Sequence, residues 1–143
     1  MRHGIIGHIL CCAAALPAHA ACTVAATPVA FGVYQSSAQL PTDSTGTVTV
    51  ACGIFTSYSV SISAGVGGTN ALNRALSSGG NRLAYNLYTD PTRILVWGDG
   101  TAGTLRVAQI ATGATLNVFG RIPGLQNIAS GSYADSLIVT IEF

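Results

Sequence analysis

The sequence contains no lysine anywhere, and its three histidines, His3, His8 and His19, all stand in the first twenty residues. Two of its four cysteines, Cys11 and Cys12, stand there too. Beyond that stretch no imidazole is left to act as a general base, a proton shuttle or a metal ligand near neutral pH. Positive charge is scarce as well: Arg74, Arg82, Arg93, Arg106 and Arg121 are matched one for one by Asp43, Asp90, Asp99, Asp135 and Glu142. Nucleic acid and anionic membrane surfaces are bound through clustered positive charge, and arginines this scattered and this balanced do not supply it. With only 8% charged residues and abundant Ala, Gly, Ser, Thr and Val, the chain suits packing against copies or relatives of itself.

What stands at the N-terminus has the layout of a secretory signal peptide. Arg2 and His3 form a short polar region, Ile5 to Leu16 an apolar one, and Ala18-His19-Ala20 an A-x-A cleavage site. A membrane anchor is the competing reading, but an apolar run of about a dozen residues falls short of the roughly 20 a spanning helix needs. Acylation at Cys22 is disfavoured because His19 occupies the position where such signals want a branched apolar side chain. The expected division is a signal peptide over 1–21 and one domain over 22–143.

Roughly 120 residues are enough for a single core that buries about two thirds of the unfolded surface. Export places the chain in an oxidising compartment, so the two remaining cysteines, Cys22 and Cys52, are read as one disulfide. Closing a loop of about 30 residues stabilises a fold by roughly 3–4 kcal/mol in the chain-entropy model. The pairing also removes any free thiol for catalysis, and two sulfurs without histidine are too few for a structural zinc site.

The rest of the sequence reads as all-β with turns at short intervals. Cys22 to Phe31 alternates loosely, with Pro28 marking an edge or a bulge. Thr47 to Cys52 and Tyr58 to Ala64 alternate cleanly and predict two strands, with Val48, Val50, Cys52, Tyr58, Val60 and Ile62 inward. Short strands follow at Arg74 to Ser77 and Leu83 to Tyr88, divided by Gly79-Gly80-Asn81. Ile94 to Trp97 is a brief apolar run stopped by Gly98-Asp99-Gly100. Thr104 to Ala111 and Thr115 to Ile122 predict a hairpin turning at Thr112-Gly113-Ala114. The chain closes on Tyr133 to Phe143, with Leu137, Val139, Ile141 and Phe143 on one face. Seven or eight such strands in an exported domain predict an immunoglobulin-type sandwich.

Few side chains suggest chemistry. Asp90 and Asp99 flank the Trp97 run, but both sit in turns beside Pro or Gly, where a carboxylate caps backbone N–H groups rather than forming a glycosidase pair. Gly98-Asp99-Gly100-Thr101 lacks the acidic repeat of a calcium loop and the lysine of a phosphate loop. Tyr133 stands where a sandwich places a corner hydrogen bond. Tyr85 and Tyr88 fall on opposite faces, one in the core and one outside. Phe55 and Trp97, beside turn residues, are the candidate contact residues of apolar loop tips, against the alternative that both are core aromatics. No enzyme activity, cofactor or metal is expected.

The last strand poses a physical problem. Ser136 to Phe143 is apolar and β-prone with Glu142 as its lone charge, a composition that aggregates unless its edge is covered. Strand addition between chains is one recurring way to cover it.

Cys22-Thr23-Val24, Phe31-Gly32-Val33-Tyr34, Gly46 to Cys52, Leu83 to Asp90, Trp97-Gly98-Asp99-Gly100 and the ending Gly131 to Phe143 together resemble the spore coat protein U domain of archaic (Csu-type) chaperone-usher pilus subunits. The resemblance implies an incomplete immunoglobulin-like β-sandwich, completed by a donor strand from a periplasmic chaperone and then from a neighbouring subunit delivered by an outer-membrane usher. It implies export through the periplasm of a Gram-negative bacterium to a surface pilus serving attachment and biofilm formation, with membrane contact through the usher alone. Leu137, Val139, Ile141 and Phe143 would flank the acceptor groove, and Cys22 with Cys52 would be the family disulfide.

Shaft subunits carry a donor extension before the first domain cysteine, whereas here Cys22 follows the expected cleavage site directly. A chain that accepts a strand and has none to give belongs at the distal tip. The alternative is a secreted spore or cell-surface coat protein that assembles without an usher.

Overall fold

The two alternating runs at Thr47 to Cys52 and Tyr58 to Ala64 belong to one long strand. The computed structural model describes residues 2–4 and 22–143; the apolar run of the expected signal peptide and its cleavage site lie outside the described residues. The strands are β1 (Arg2–Gly4), β2 (Thr23–Thr27), β3 (Thr42–Ile62), β4 (Arg74–Ser78), β5 (Asn81–Tyr88), β6 (Val107–Ile122) and β7 (Ile138–Glu142). All named pairings are antiparallel, in the order β1-β7-β3-β6-β5-β4 with β2 also on β3, and no helix occurs among the described residues.

β3 and β6 form the spine. They pair from Thr42↔Ile122 to Ala51↔Gly113, then again from Thr56↔Ala111 to Val60↔Val107, with the register shifting between Ala51 and Thr56. Extra residues on one strand of a pair force a local bend, and Gly53 takes it up at φ +82°, a conformation that costs glycine no Cβ clash. Opposite the bend, a Cβ on Gly113 would collide with the Val50 carbonyl. Gly113 therefore permits close backbone approach inside a strand. The expected hairpin at Thr112-Gly113-Ala114 is not formed, because the residues on either side each find a partner in one half of β3.

The bend turns one curled sheet into two facing layers. The first half of β3 carries β2 at Thr47 to Ala51, and β6 carries β5 at Asn86 to Tyr88. The second half of β3 carries β7 at Ser59 to Ile62. Alternation points Val24, Val48, Val50, Leu87 and Val118 from one layer toward Val60, Ile62, Val139 and Ile141 from the other, and all are buried in one core. Burying each such side chain contributes about 1.5–3 kcal/mol. Cys22 and Cys52 are joined, tying the start of β2 to the bend in β3. This architecture is an incomplete immunoglobulin-like β-sandwich.

Ile94 to Trp97 forms no strand of its own. It is held by bridges from Tyr88 to Val96 and from Trp97 to Leu105, and Asp90 turns the chain by accepting from the Ile94 and Leu95 amides at 3.2 and 2.9 Å. Trp97 is 1% exposed and its Nε1 donates to the Val60 carbonyl at 2.9 Å. The expectation of Trp97 as an exposed loop tip is thereby corrected. A ring that large gains more from burial than from solvent, and its N–H has found a buried partner.

Candidate functional site: the groove beside β7

β7 is paired on its inner edge with only four residues of β3, from Ser59↔Glu142 to Ile62↔Val139. Its outer edge pairs with β1, in the register Arg2↔Thr140, His3↔Val139 and Gly4↔Ile138. That edge therefore takes an antiparallel strand, and the strand it takes comes from the expected signal peptide. Leu137, Val139 and Ile141 are buried on the core side, while Ile138 is half exposed. Phe143 departs from the expected face: it follows the last β7 pair, no strand covers it, and it is 43% exposed.

Across from β7 runs the exit of β2. Ala26, Thr27 and Val29 face Leu137 and Val139 over a floor that includes Val48, Ile62, Leu87 and Val118, leaving a slot of about 10 Å³. Along the same two chain segments the slot gives way to a cavity of about 760 Å³, between Phe31 to Ser37 on one side and Ile128 to Tyr133 on the other, with Leu76, Leu83 and Ile122 beneath. No ionisable side chain other than Tyr34 and Tyr133 lines the cavity. Both hydroxyls are engaged: Tyr34 donates to the Pro123 carbonyl at 2.8 Å, and Tyr133 to the Ala129 carbonyl at 2.7 Å. The Tyr133 bond runs back four residues, the corner geometry expected of a sandwich. The groove accordingly suits an uncharged, extended occupant, apolar against Phe31, Leu76 and Leu83 and polar against Gln35, Ser36 and Ser130.

Polar side chains that the sequence left unremarked lie beneath this site. Arg74, 1% exposed, donates from Nε to the Ser63 carbonyl at 3.0 Å. Its terminal nitrogens reach Ser63, Ile62 and Trp97 carbonyls at 2.6, 3.0 and 2.8 Å and the Asn86 Oδ1 at 2.8 Å. Burial pulls the guanidinium down from its ordinary range to about 10, which leaves it charged at neutral pH. Asp135, just ahead of β7, accepts at Oδ1 from the Val66, Gly67 and Ser136 amides at 2.9, 3.0 and 3.0 Å. Its Oδ2 accepts from the Tyr85 hydroxyl at 2.6 Å. Burial, followed by the charge of Asp135, pushes the Tyr85 phenol far above its ordinary range. A sequence signal for the first of these did exist: Arg74 opens a strand whose next residues, Ala75 and Leu76, are core positions.

Elsewhere, Ile54 and Phe55 project from the β3 bend at 69% and 75% exposure. Ile110, on β6 opposite Ser57, is also exposed. Asp99 caps its turn by accepting from the Thr101 hydroxyl and amide, bonds that hold its carboxyl below the usual range. Asp90 is lowered likewise, first by the Thr92 hydroxyl and then by backbone amides. Arg121 forks onto Asp43 at 2.7 and 3.0 Å, while Arg93 lies over the Phe119 ring. Among the described residues no group of three or more His, Cys, Asp or Glu is placed to hold a metal ion.

The chain is similar to known proteins. The chain is 30% identical over 108 residues to Protein U of Myxococcus xanthus, a match covering 69% of this chain and 59% of that protein. Its fold resembles a chain in the crystal structure of the CsuC–CsuE chaperone–tip adhesion subunit pre-assembly complex from archaic chaperone-usher Csu pili of Acinetobacter baumannii. That likeness has a TM-score of 0.63 at 24% identity and covers 87% of this chain and 40% of the other. The chain thus spans well under two thirds of either relative's length. A family model, the Spore Coat Protein U domain, matches residues 9–140, from within the expected signal peptide to the heart of β7. With nearly its whole length matched, the chain belongs to the Spore Coat Protein U domain family.

Proposed function

We propose that the protein is a structural subunit of an archaic chaperone-usher pilus. The observation that carries this reading is the outer edge of β7, which accepts an added strand beside an uncharged groove. Removal of the signal peptide strips β1 from that edge and leaves backbone N–H and C=O groups and the Leu137 and Val139 side chains to be covered by another chain. A periplasmic chaperone supplies the first covering strand. The N-terminal segment of a neighbouring subunit, delivered by an outer-membrane usher, supplies the lasting one, and the finished fibre stands on the cell surface of a Gram-negative bacterium.

Close packing beside Leu137 and Val139 favours small side chains on the incoming strand there, and the larger cavity, lined by Gln35, Ser36 and Ser130 as well as Phe31 and Leu83, has room for a bulkier one. A place at the fibre tip is the finer reading, which the likeness to a chain of the chaperone–tip adhesion subunit complex supports.

Co-expression of the exported chain with and without the chaperone of its own gene neighbourhood tests the reading. The expected result is soluble protein only as a one-to-one complex, with the new N-terminus at Ala21 or Cys22 by sequencing. A stable, soluble monomer without chaperone would overturn it in favour of a self-sufficient coat protein, the reading that the likeness to Protein U supports.

At the tip, the adhesive contact falls to Ile54 and Phe55. Exposed apolar side chains on a bend stiffened by the disulfide meet a solid or apolar surface with little loss of conformational freedom. Phe55→Ala combined with Ile54→Ser is expected to cut bacterial attachment to plastic by at least tenfold at equal piliation, since losing even one such buried side chain, at about 1.5–3 kcal/mol, is worth that much. Unchanged attachment would remove the adhesive role from this bend.

A further inference from the structure

The strand that flanks the groove is poorly secured by its own ladder. β7 shares four residue pairs with β3, and the segment leading into it meets the opposite layer through one bridge, Ser77↔Ala134, with amides and carbonyls exchanged at 2.8 and 3.1 Å. Between that bridge and β7 stands Asp135. Its carboxylate is 3% exposed and joins three separate parts of the chain: its own root of β7, the Val66-Gly67 loop, and Tyr85 of β5.

The chain fits closely around it. Any side chain at Gly65 would strike the Asp135 carboxylate and the Leu137 side chain, and Gly65 is held at φ +80°. Tyr85 in turn presents its ring edge-on to Phe31, with centroids 6.0 Å apart, and Phe31 lines the far wall of the large cavity. One hydrogen bond of 2.6 Å therefore links the root of the β7 wall to the element that supports the opposite wall.

We infer that Asp135 and Tyr85 are positioning residues for strand uptake: the bond between them ties the two walls of the groove together across its floor and keeps β7 in register while its outer edge is empty. This rests on the pilus-subunit reading, in which an empty groove has to persist long enough to be filled. Hydrogen bonds to a buried carboxylate are among the stronger ones a protein makes, and this one acts at the root of a strand whose ladder to β3 is four pairs extended only by the Ser63–Ile138 bonds. A loosened β7 drifts from the geometry that an incoming strand must match, so capture slows although the core is intact.

Tyr85→Phe is the sharpest test, because it deletes one hydroxyl and leaves the ring against Phe31. Tyr133→Phe is the control, removing a hydroxyl beside the same cavity that bonds only to Ala129. The readouts are pulsed amide hydrogen exchange of the chain freshly diluted from denaturant, before it aggregates, and the rate at which the purified chaperone captures it. In Tyr85→Phe the β7 amides of Thr140 and Glu142, which face β3, are expected to exchange on the order of tenfold faster, with the β3–β6 spine at Val48 and Val50 unchanged, and capture slowed to match. Asp135→Asn, which can still accept from the loop amides and bond the phenol, should fall between wild type and Tyr85→Phe; Asp135→Ala should exceed both.

Exchange that rises equally in every strand would mean a general structural role and overturn the inference, as would wild-type exchange and capture in Tyr85→Phe or an equal effect from Tyr133→Phe. If the wild-type chain is not captured at all, the pilus-subunit reading fails. Wild-type capture at normal rate with Tyr85→Phe captured equally fast leaves that reading standing and sinks only the positioning role.

Discussion

Arg74→Met should lower the free energy of unfolding by about 3–5 kcal/mol, the largest loss expected from any single substitution in this chain. The side chain it replaces is closed off from water and gives hydrogen bonds to three backbone carbonyls, Ile62, Ser63 and Trp97, and to the Asn86 amide oxygen. Methionine fills much of the stem volume, so the loss is not mainly a cavity. It is the stranding of acceptors: each buried group left unpaired costs about 1–3 kcal/mol. Asn86 would also lose the partner that fixes its orientation, although its Nδ2 still donates to the Ala71 and Leu72 carbonyls at 3.0 and 3.2 Å. Arg74→Lys keeps the charge without the planar fork and should recover less than half of the loss. Urea denaturation of the exported chain measures both; a loss below about 1 kcal/mol for Arg74→Met would mean that water enters and satisfies the carbonyls.

Reduction of the Cys22–Cys52 bridge, or its replacement by a pair of alanines, should cost about 3–4 kcal/mol, as expected for a loop with a sequence separation of 30. The effect is larger than that of a surface bond because β2 is held by five residue pairs along one edge only. Without the bridge, the Val24 side chain and that short ladder are left to hold the first wall of the groove. Thermal unfolding with and without dithiothreitol reads the difference directly, and a domain of this size should lose roughly 10–20 °C at the upper end of the usual conversion. Equal melting temperatures would show that the ladder alone pins β2.

The sequence displayed the inward face of nearly every strand, because alternation is a local property: Val48, Val50, Val60, Ile62, Val139 and Ile141 are buried as their spacing requires. It did not display which strands are continuous. Gly113 and the Gly53-Ile54-Phe55 stretch both carry turn composition, yet one lies inside β6 and the other makes a bulge in β3, since what decides between turn and bend is the partner strand some sixty residues away. The neighbours of Trp97 left a loop tip and a core position both open, and it is buried, with its N–H on the Val60 carbonyl. Arg74 and Asp135 reveal nothing in isolation. A charge is legible as structural only when the carbonyls or amides that neutralise it are in view, and those come from Ser63, Val66 and Trp97, remote in sequence from the charges they satisfy.

The length of β3 and β6 has a kinetic consequence. Thr42 pairs with Ile122 and Val60 with Val107, so not one rung of the spine joins neighbours in sequence. A chain that emerges N-terminus first has released β2 through β5 before the strand that organises them arrives. The β2–β3 ladder and the β4–β5 hairpin are the named pairings open to it meanwhile, and two-stranded pairings are marginal in water. Topologies of this kind fold slowly, over milliseconds to seconds, because the loop must be closed before any contact rewards it. During that interval Val48, Val50, Val60 and Ile62 travel uncovered, and the order in which the chain emerges, more than its final stability, determines how long it is open to aggregation.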